Sequence, residues 1–238
     1  MQSLDNPFHI HLLGDHAILI KLSKGLNGGI DRDLLALAAF IKEQKIQGIK
    51  DIILAYDNLT LVYDILDFDS NPYLYVNQLV ANFIAEASNH NAPNSASRLI
   101  EVPVCYDPSL GIDLEAAAKI ANCNIEALIQ EHTAHIYTVY CLGFLPGFAY
   151  MGDVPKKIQL PRHPQPRATV VAGSVGIAGK QTGIYPTDSP GGWQIIGRTP
   201  IKIFDTIKLS LFKAGDQVKF NPIDLALFHE LNNQEDVH

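Results

Sequence analysis

Between Gly143 and Pro200 the chain places ten of its 17 glycines and eight of its 14 prolines. Proline fixes φ and removes a backbone donor, and glycine inside a helix costs about 1 kcal/mol relative to alanine. Regular helix is therefore almost excluded here, which leaves disorder or short strands joined by tight turns. VVAGSV, GIYP and WQIIG carry the aliphatic and aromatic residues that disordered segments lack. The reading is a β-rich unit, a barrel or a sandwich. TPIKIFD, IKLSLFKAG and DQVKFNPI carry the strand reading on towards the last residues.

The first ninety residues follow different periods. HIHLLGDHAILIKL is strand-like on both sides of a Gly-Asp turn, and IKDIILAY and LTLVYDIL flank Asp57-Asn58 as a hairpin. DRDLLALAAFIKEQK has apolar residues at helical spacing, with Asp31 as a cap. PYLYVNQLVANFIAEAS is a second amphipathic helix with Pro72 in its first turn. The order β, α, β, β, α predicts a sheet with two helices on one face. HNAPNSASR, from His90, has a linker's composition. The expected fold class is α+β, with a small N-terminal α+β domain over 1–90 and a β-barrel domain over 91–238. RLIEVPVCY and IYTVYCLGF open the second domain as strands around two short helices, DLEAAAKIANC and NIEALIQEHTA, capped by Asp113 and Asn124.

Composition narrows the chemistry. Hydrophobic residues make up 47%, enough for a real core, and no stretch approaches the ~20 apolar residues of a membrane helix. The start MQSLDNPFHIHLL lacks the features of a secretory signal. Cys105, Cys123 and Cys141 form no CxxC pair, so a reduced, cytoplasmic setting is expected. Net charge is −7, which argues against nonspecific nucleic-acid binding. Val154–Thr187 nevertheless holds Lys156, Lys157, Arg162, Arg167 and Lys180 and no acid, so this segment is +5 and the rest −7 − 5 = −12. A cationic island where glycines are densest favours anion binding over a merely solvated face.

No common nucleotide or nucleophile motif fits. In GSVGIAGKQTGIYPTDSPGGW, Gly179-Lys180 is followed by Gln181, and the position five before Gly179 is Ser174, so a Walker loop fails twice. Gly173, Gly176 and Gly179 have the wrong spacing for a dinucleotide fingerprint, and Ala172 replaces the first glycine of a nucleophile elbow. Three constellations remain. GFLPGFAYMG sets Phe144, Phe148 and Tyr150 among Pro146, Gly147 and other turn residues: either a ligand pocket's wall or a buried turn. LPRHPQPR presents Arg162, His163 and Arg167 on a proline-stiffened strap suited to carboxylate or phosphate. The glycine run itself offers Gln181, Thr182, Tyr185, Ser189 and Trp193, as ligand donors or as barrel turns. His132 and His135, and His9 and His11, read as structural histidines, and no metal site is expected.

Taken together, GFLPGFAYMG, PRHPQPRATVVAGSVGIAGKQTGIYPTDSPGGWQIIGRTPIKIFD and GDQVKFNPI resemble the 5-oxoprolinase B-subunit family, also called kinase A inhibitor (KipI-like) or allophanate hydrolase subunit 1. VPVCYDP and EHTAHIYTVYCLGF extend the resemblance over nearly the whole chain. Val171 and Met151 depart from the family's usual proline and leucine, and the insert after Tyr106 is short, with Gly111-Ile112-Asp113-Leu114 in place of Gly-Pro-Asp-Leu.

The resemblance implies a C-terminal cyclophilin-like barrel and a complex with subunits A and C that converts 5-oxo-L-proline to L-glutamate with ATP. It also implies that Phe144, Pro146, Gly147, Phe148, Arg167, Ser174, Gln181, Thr182, Tyr185 and Trp193 line or shape a pocket, together with His132; the strap reading adds Arg162 as a candidate substrate-binding residue. Within that frame Arg167 is expected to hold the substrate carboxylate, and Gln181 and Thr182 to orient the ring amide. A histidine-kinase inhibitor and a urea or allophanate subunit are the alternatives. No nucleotide loop is evident, so ATP is expected to be used by the complex.

Overall fold

In the N-terminal part, alternating apolar residues build a sheet and helical spacing builds its cover. The structure, a computed structural model, describes residues 7–23, 32–89 and 97–235. The chain divides into two compact units, Met1–Ala96 and Ser97–His238. The boundary expected at 90/91, most of its linker and the cap Asp31 lie outside the described residues.

The first unit runs β1 (Phe8–Leu12), β2 (Ala17–Leu22), α1 (Arg32–Glu43), β3 (Ile49–Leu54), β4 (Asn58–Tyr63) and α2 (Pro72–Asn89). Its antiparallel sheet has the order β1-β2-β4-β3. Ile18, Ile20, Leu59 and Leu61 point to one face and pack with Leu34, Leu37 and Ile41 of α1 and Val76, Val80 and Phe83 of α2. Both helices thus cover a single face, because a strand repeats every two residues and each helix offers one apolar stripe. The expected first strand is a hairpin turning at Gly14, and His9 and His11 are both exposed on β1.

The second unit runs β5 (Leu99–Cys105), α3 (Leu114–Ile120), α4 (Ile125–Ala134), β6 (Ile136–Leu142), β7 (Ala149–Gly152), β8 (Arg167–Val170), β9 (Ser174–Ala178), β10 (Gln181–Ile184), β11 (Ser189–Gly191), β12 (Gln194–Arg198), β13 (Phe204–Asp205), β14 (Leu209–Ser210), β15 (Gln217–Ile223) and α5 (Leu225–Glu235). Seven strands close a barrel in the order β10-β7-β6-β15-β5-β12-β9, the architecture that the resemblance implied. Val102, Val104, Tyr137, Val139, Met151, Ile177 and Phe220 lie in its core. β15 runs parallel to β5 and antiparallel to β6. β8 and β11 form a separate two-stranded sheet.

Two expectations change. The strand reading of the C-terminal residues stops at β15, where α5 begins: Asp224 caps it by accepting Leu227 N–H at 2.8 Å, and Phe228 buries its ring. Asn124 does cap α4, accepting from Ala127 N–H at 2.8 Å, but Asp113 makes no cap bond to α3. Its carboxylate goes elsewhere, as described below. All three cysteines are free thiols, and burial raises that of Cys141 to about 11.

Candidate functional site

The glycine run builds a floor for aromatic rings. Gly176 of β9 and Gly183 of β10 lie directly opposite one another. Their neighbours Val175, Ile177 and Ile184 fill the barrel core, so strand alternation turns both glycines outward. A Cβ on Gly176 would sit 3.1 Å from Trp193 Cβ, and one on Gly183 3.2 Å from Trp193 Cζ3 and 2.8 Å from the Ala149 carbonyl. A Cβ on Gly191 would fall onto the Tyr185 phenol. At these three positions side-chain space is given to rings rather than to a phosphate. Phe148 is the hub, with ring centroids of Tyr150 at 4.8 Å, Tyr185 at 5.3 Å, Trp193 at 5.3 Å and Phe144 at 5.6 Å, all edge-on. Such geometry sets the positive edge of one ring on the negative face of the next.

The loop from Gly143 to Phe148 closes on itself, with Gly143 N–H donating to Phe148 O and Phe148 N–H to Leu145 O around Pro146. Gly147 has φ +85°, and the Phe204 side chain takes up its Cβ position. Phe144 is also left-handed, at φ +71°, and stands 60% exposed while Phe148 is buried. A bulky residue in that region is strained, and here a closed turn holds it outward.

The proline strap crosses this aromatic layer. His163 N–H donates to Gly192 O at 2.8 Å, and Gln194 Nε2 donates to Pro161 O at 2.9 Å. Arg162 is exposed and has no acidic partner among the described residues. Burial pushes the Tyr150 and Tyr185 phenols up, and the Arg162 charge offsets part of that shift at both.

Arg167, at the strap's other end, donates through Nη2 to the buried Asp113 carboxylate. Asp113 Oδ2 also accepts Ile195 N–H at 2.7 Å and lies 3.3 Å from His163 Nε2. The Asp113 N–H donates in turn to Ile195 O at 2.9 Å. His163 Nε2, Arg167 Nη1, Gln194 Oε1 and Ser189 Oγ are buried without a hydrogen-bond partner among the described residues. The cationic island is thus partly neutralised from outside, since Lys157 also pairs with Glu131 at 2.7 Å.

His132 belongs to a different knot, inside the barrel. It is fully buried and stacks on Phe220 with ring centroids 4.6 Å apart. Its Nδ1 lies 2.9 Å from Tyr106 Oη and its Nε2 2.9 Å from Thr182 Oγ1. Thr182 Oγ1 donates to Gly176 O at 3.0 Å, so its lone pairs accept from His132 Nε2–H, and Tyr106 O–H donates to Nδ1. Every polar atom of the triad is then satisfied with a neutral imidazole. Burial lowers His132 to about 3.

The structure therefore brings Phe144, Phe148, Tyr185 and Trp193 together, with Arg162 and Arg167 acting on Tyr185. Pro146 and Gly147 shape the loop that holds them. Gln181, half-buried, opens β10, and Ser174, buried, opens β9 opposite Arg198. His132 and Thr182 lie apart from this layer, in the barrel interior. Sequence reasoning missed Asp113 and Gln194. Asp113 carried a signal in Gly111-Ile112-Asp113-Leu114, but a polar residue before an apolar helix reads first as a cap.

Residues 8–211 match the family model described as carboxyltransferase domain, subdomain C and D. The 5-oxoprolinase B-subunit of Bacillus subtilis (strain 168) is 40% identical over 231 residues, covering 93% of this chain and 95% of the relative. The chain belongs to the 5-oxoprolinase B-subunit family. The 5-oxoprolinase B-subunit of Haemophilus influenzae is 39% identical, covering 87% of this chain and 94% of its own. Among solved structures, TTHA0988 superposes with a TM-score of 0.72 at 32% identity, covering 87% of this B-subunit homologue and 40% of that chain. No helix among the described residues is long and apolar enough to cross a membrane.

Proposed function

We propose that this chain is the B-subunit of an ATP-dependent 5-oxoprolinase and contributes part of the 5-oxo-L-proline site. The observation that carries the reading is Arg162: an exposed guanidinium without an acidic partner among the described residues, on a stiff strap that is bonded to Gly192 and Gln194 on either side of the buried Trp193. A planar fork binds a carboxylate through two N–H donors, and the rings of Tyr150 and the outward Phe144 offer an apolar wall for the five-membered ring. Arg167 is tied to Asp113, so we assign it to bracing the strap and Arg162 to the carboxylate. Gln181 stays a candidate for the ring amide, and Thr182 belongs to the framework.

Ring opening is slow because the lactam is resonance-stabilised. Phosphoryl transfer from ATP to the carbonyl oxygen, with ADP leaving, makes the carbonyl carbon a better electrophile; water adds there, the ring C–N bond breaks as its nitrogen takes a proton, and a second water hydrolyses the resulting acyl phosphate to glutamate and phosphate. The chain's own part is to bind and orient the acid and to keep a cation near the developing charge. ATP is a substrate of the complex with subunits A and C.

The test is reconstitution with the other subunits, ATP and 5-oxo-L-proline, with glutamate measured directly. Glutamate formation that requires this chain is the expected result. Turnover with urea or allophanate instead, or binding to a histidine kinase without turnover, overturns the reading.

A further inference from the structure

Asp113 sits where a helix cap belongs and does not cap. Its side chain and main chain instead meet the same residue of β12: its N–H donates to Ile195 O and its Oδ2 accepts Ile195 N–H. This happens where the barrel wall is thinnest, since β12 pairs with β5 only through Arg198 and Cys105. Gly111 makes the approach possible, because a Cβ there would run into the Ile196 carbonyl. The turn from Gly111 to Asp113 thus closes the seam and delivers a buried carboxylate, 6% exposed at its side chain, to the outer surface of β12.

That carboxylate makes one hydrogen bond to the strap and faces it at a second point, where His163 Nε2 is buried without a hydrogen-bond partner among the described residues. Oδ1 takes Arg167 Nη2, and Oδ2 stands 3.3 Å from His163 Nε2. Arg162 lies immediately before His163, beyond Pro161, whose carbonyl is held by Gln194. The segment carrying Arg162 is therefore fastened on both flanks, at Pro161 by Gln194, at His163 by its main-chain N–H on Gly192 O, and at Arg167 by Asp113. A guanidinium on a tethered strap loses less freedom on binding an acid than one on a free loop. An ion pair buried this deeply is a weak source of stability, since desolvation offsets the attraction. Its effect lies in geometry.

We propose that Asp113 is a positioning residue, holding the proline strap through Arg167 so that Arg162 faces the substrate carboxylate. The proposal rests on the functional reading above, and its test separates the two. Asp113→Asn is the informative variant, because its amide oxygen still accepts from Ile195 N–H while the charge that holds Arg167 is gone. Amide exchange on the chain alone is measured first. Faster exchange is expected at His163 and in β8, with the barrel strands β5, β6 and β15 unchanged. Wild-type exchange throughout the strap overturns the proposal whatever the complex does.

In the reconstituted complex, Asp113→Asn raises KM for 5-oxo-L-proline about tenfold, while kcat at saturation and KM for ATP stay within about twofold. Adding Asp113→Asn to Arg162→Ala then has no further effect, because the route through Arg162 is already lost. An additive double variant, or equal loss in kcat, overturns the proposal. Absence of turnover with the wild-type chain overturns the functional reading alone, and the exchange result still decides whether Asp113 holds the strap.

Discussion

Two buried polar knots in the C-terminal unit differ in what they leave undone. In the barrel, Tyr106, His132, Thr182 and Gly176 O form a closed chain in which each donor has an acceptor and no charge is present. Under the strap, Asp113 gathers Arg167 and Ile195 N–H, yet Arg167 Nη1, His163 Nε2 and, nearby in sequence to Ile195, Gln194 Oε1 stay unpaired among the described residues. A saturated network specifies a core and asks for nothing more. A charged network with buried orphans carries a desolvation penalty that only a framework with another purpose retains.

Breaking the strap knot is expected to cost most. Asp113→Ala strands Arg167 and the Ile195 N–H, and should destabilise the chain by about 3 kcal/mol in urea unfolding. That is the lower end for a broken buried pair, because the Arg167 side chain is 28% exposed. Next, Arg162→Ala should lower kcat/KM for 5-oxo-L-proline about 100-fold, some 2.7 kcal/mol, with unfolding stability within about 0.5 kcal/mol of wild type. Loss of stability without loss of activity would remove Arg162 from the site.

The barrel knot should respond to acid. The folded chain keeps His132 neutral down to about 3, against an ordinary value of 6.5, so the unfolded chain binds a proton first as pH falls. The stabilisation is full above 6.5 and declines below it. Going from pH 7 to pH 5 should remove about 2 kcal/mol, and His132→Leu should flatten that slope while lowering stability at pH 7. An unchanged slope in the variant would assign the acid response to other groups. The smallest effect belongs to Phe144→Gly. Relief of the left-handed backbone nearly offsets glycine's greater unfolded freedom, so stability should move by less than about 0.5 kcal/mol. KM for 5-oxo-L-proline should rise through loss of the aromatic rim, and an unaltered KM would place the substrate elsewhere.

Local signals in the sequence lead directly to the N-terminal sheet and its two helices, because each element's period is visible within its own residues. The barrel's strands are legible as strands, but its closure is not: β5 and β15 pair across more than a hundred residues without a pattern that links them. α5 is hidden because β15 runs into it with only Asp224 between, and only a short apolar face, around Phe228, marks it. Phe148, Trp193 and Tyr185 announce an aromatic layer, and Pro161, Pro164 and Pro166 a rigid strap. That Gly176 faces Gly183 beneath Trp193 needed the β9–β10 register, and that Asp113 serves Arg167 rather than α3 needed the third dimension.

The position of β15 also governs assembly of the barrel in time. Its neighbours are β5 and β6, both made much earlier by the ribosome. Until residues 217–223 emerge, those two strands have unpaired edges facing the gap, an invitation to pair with another nascent chain. A premature stop before Gln217 would therefore yield a sticky, open sheet rather than a smaller folded protein, and chaperone demand should concentrate in the last moments of translation.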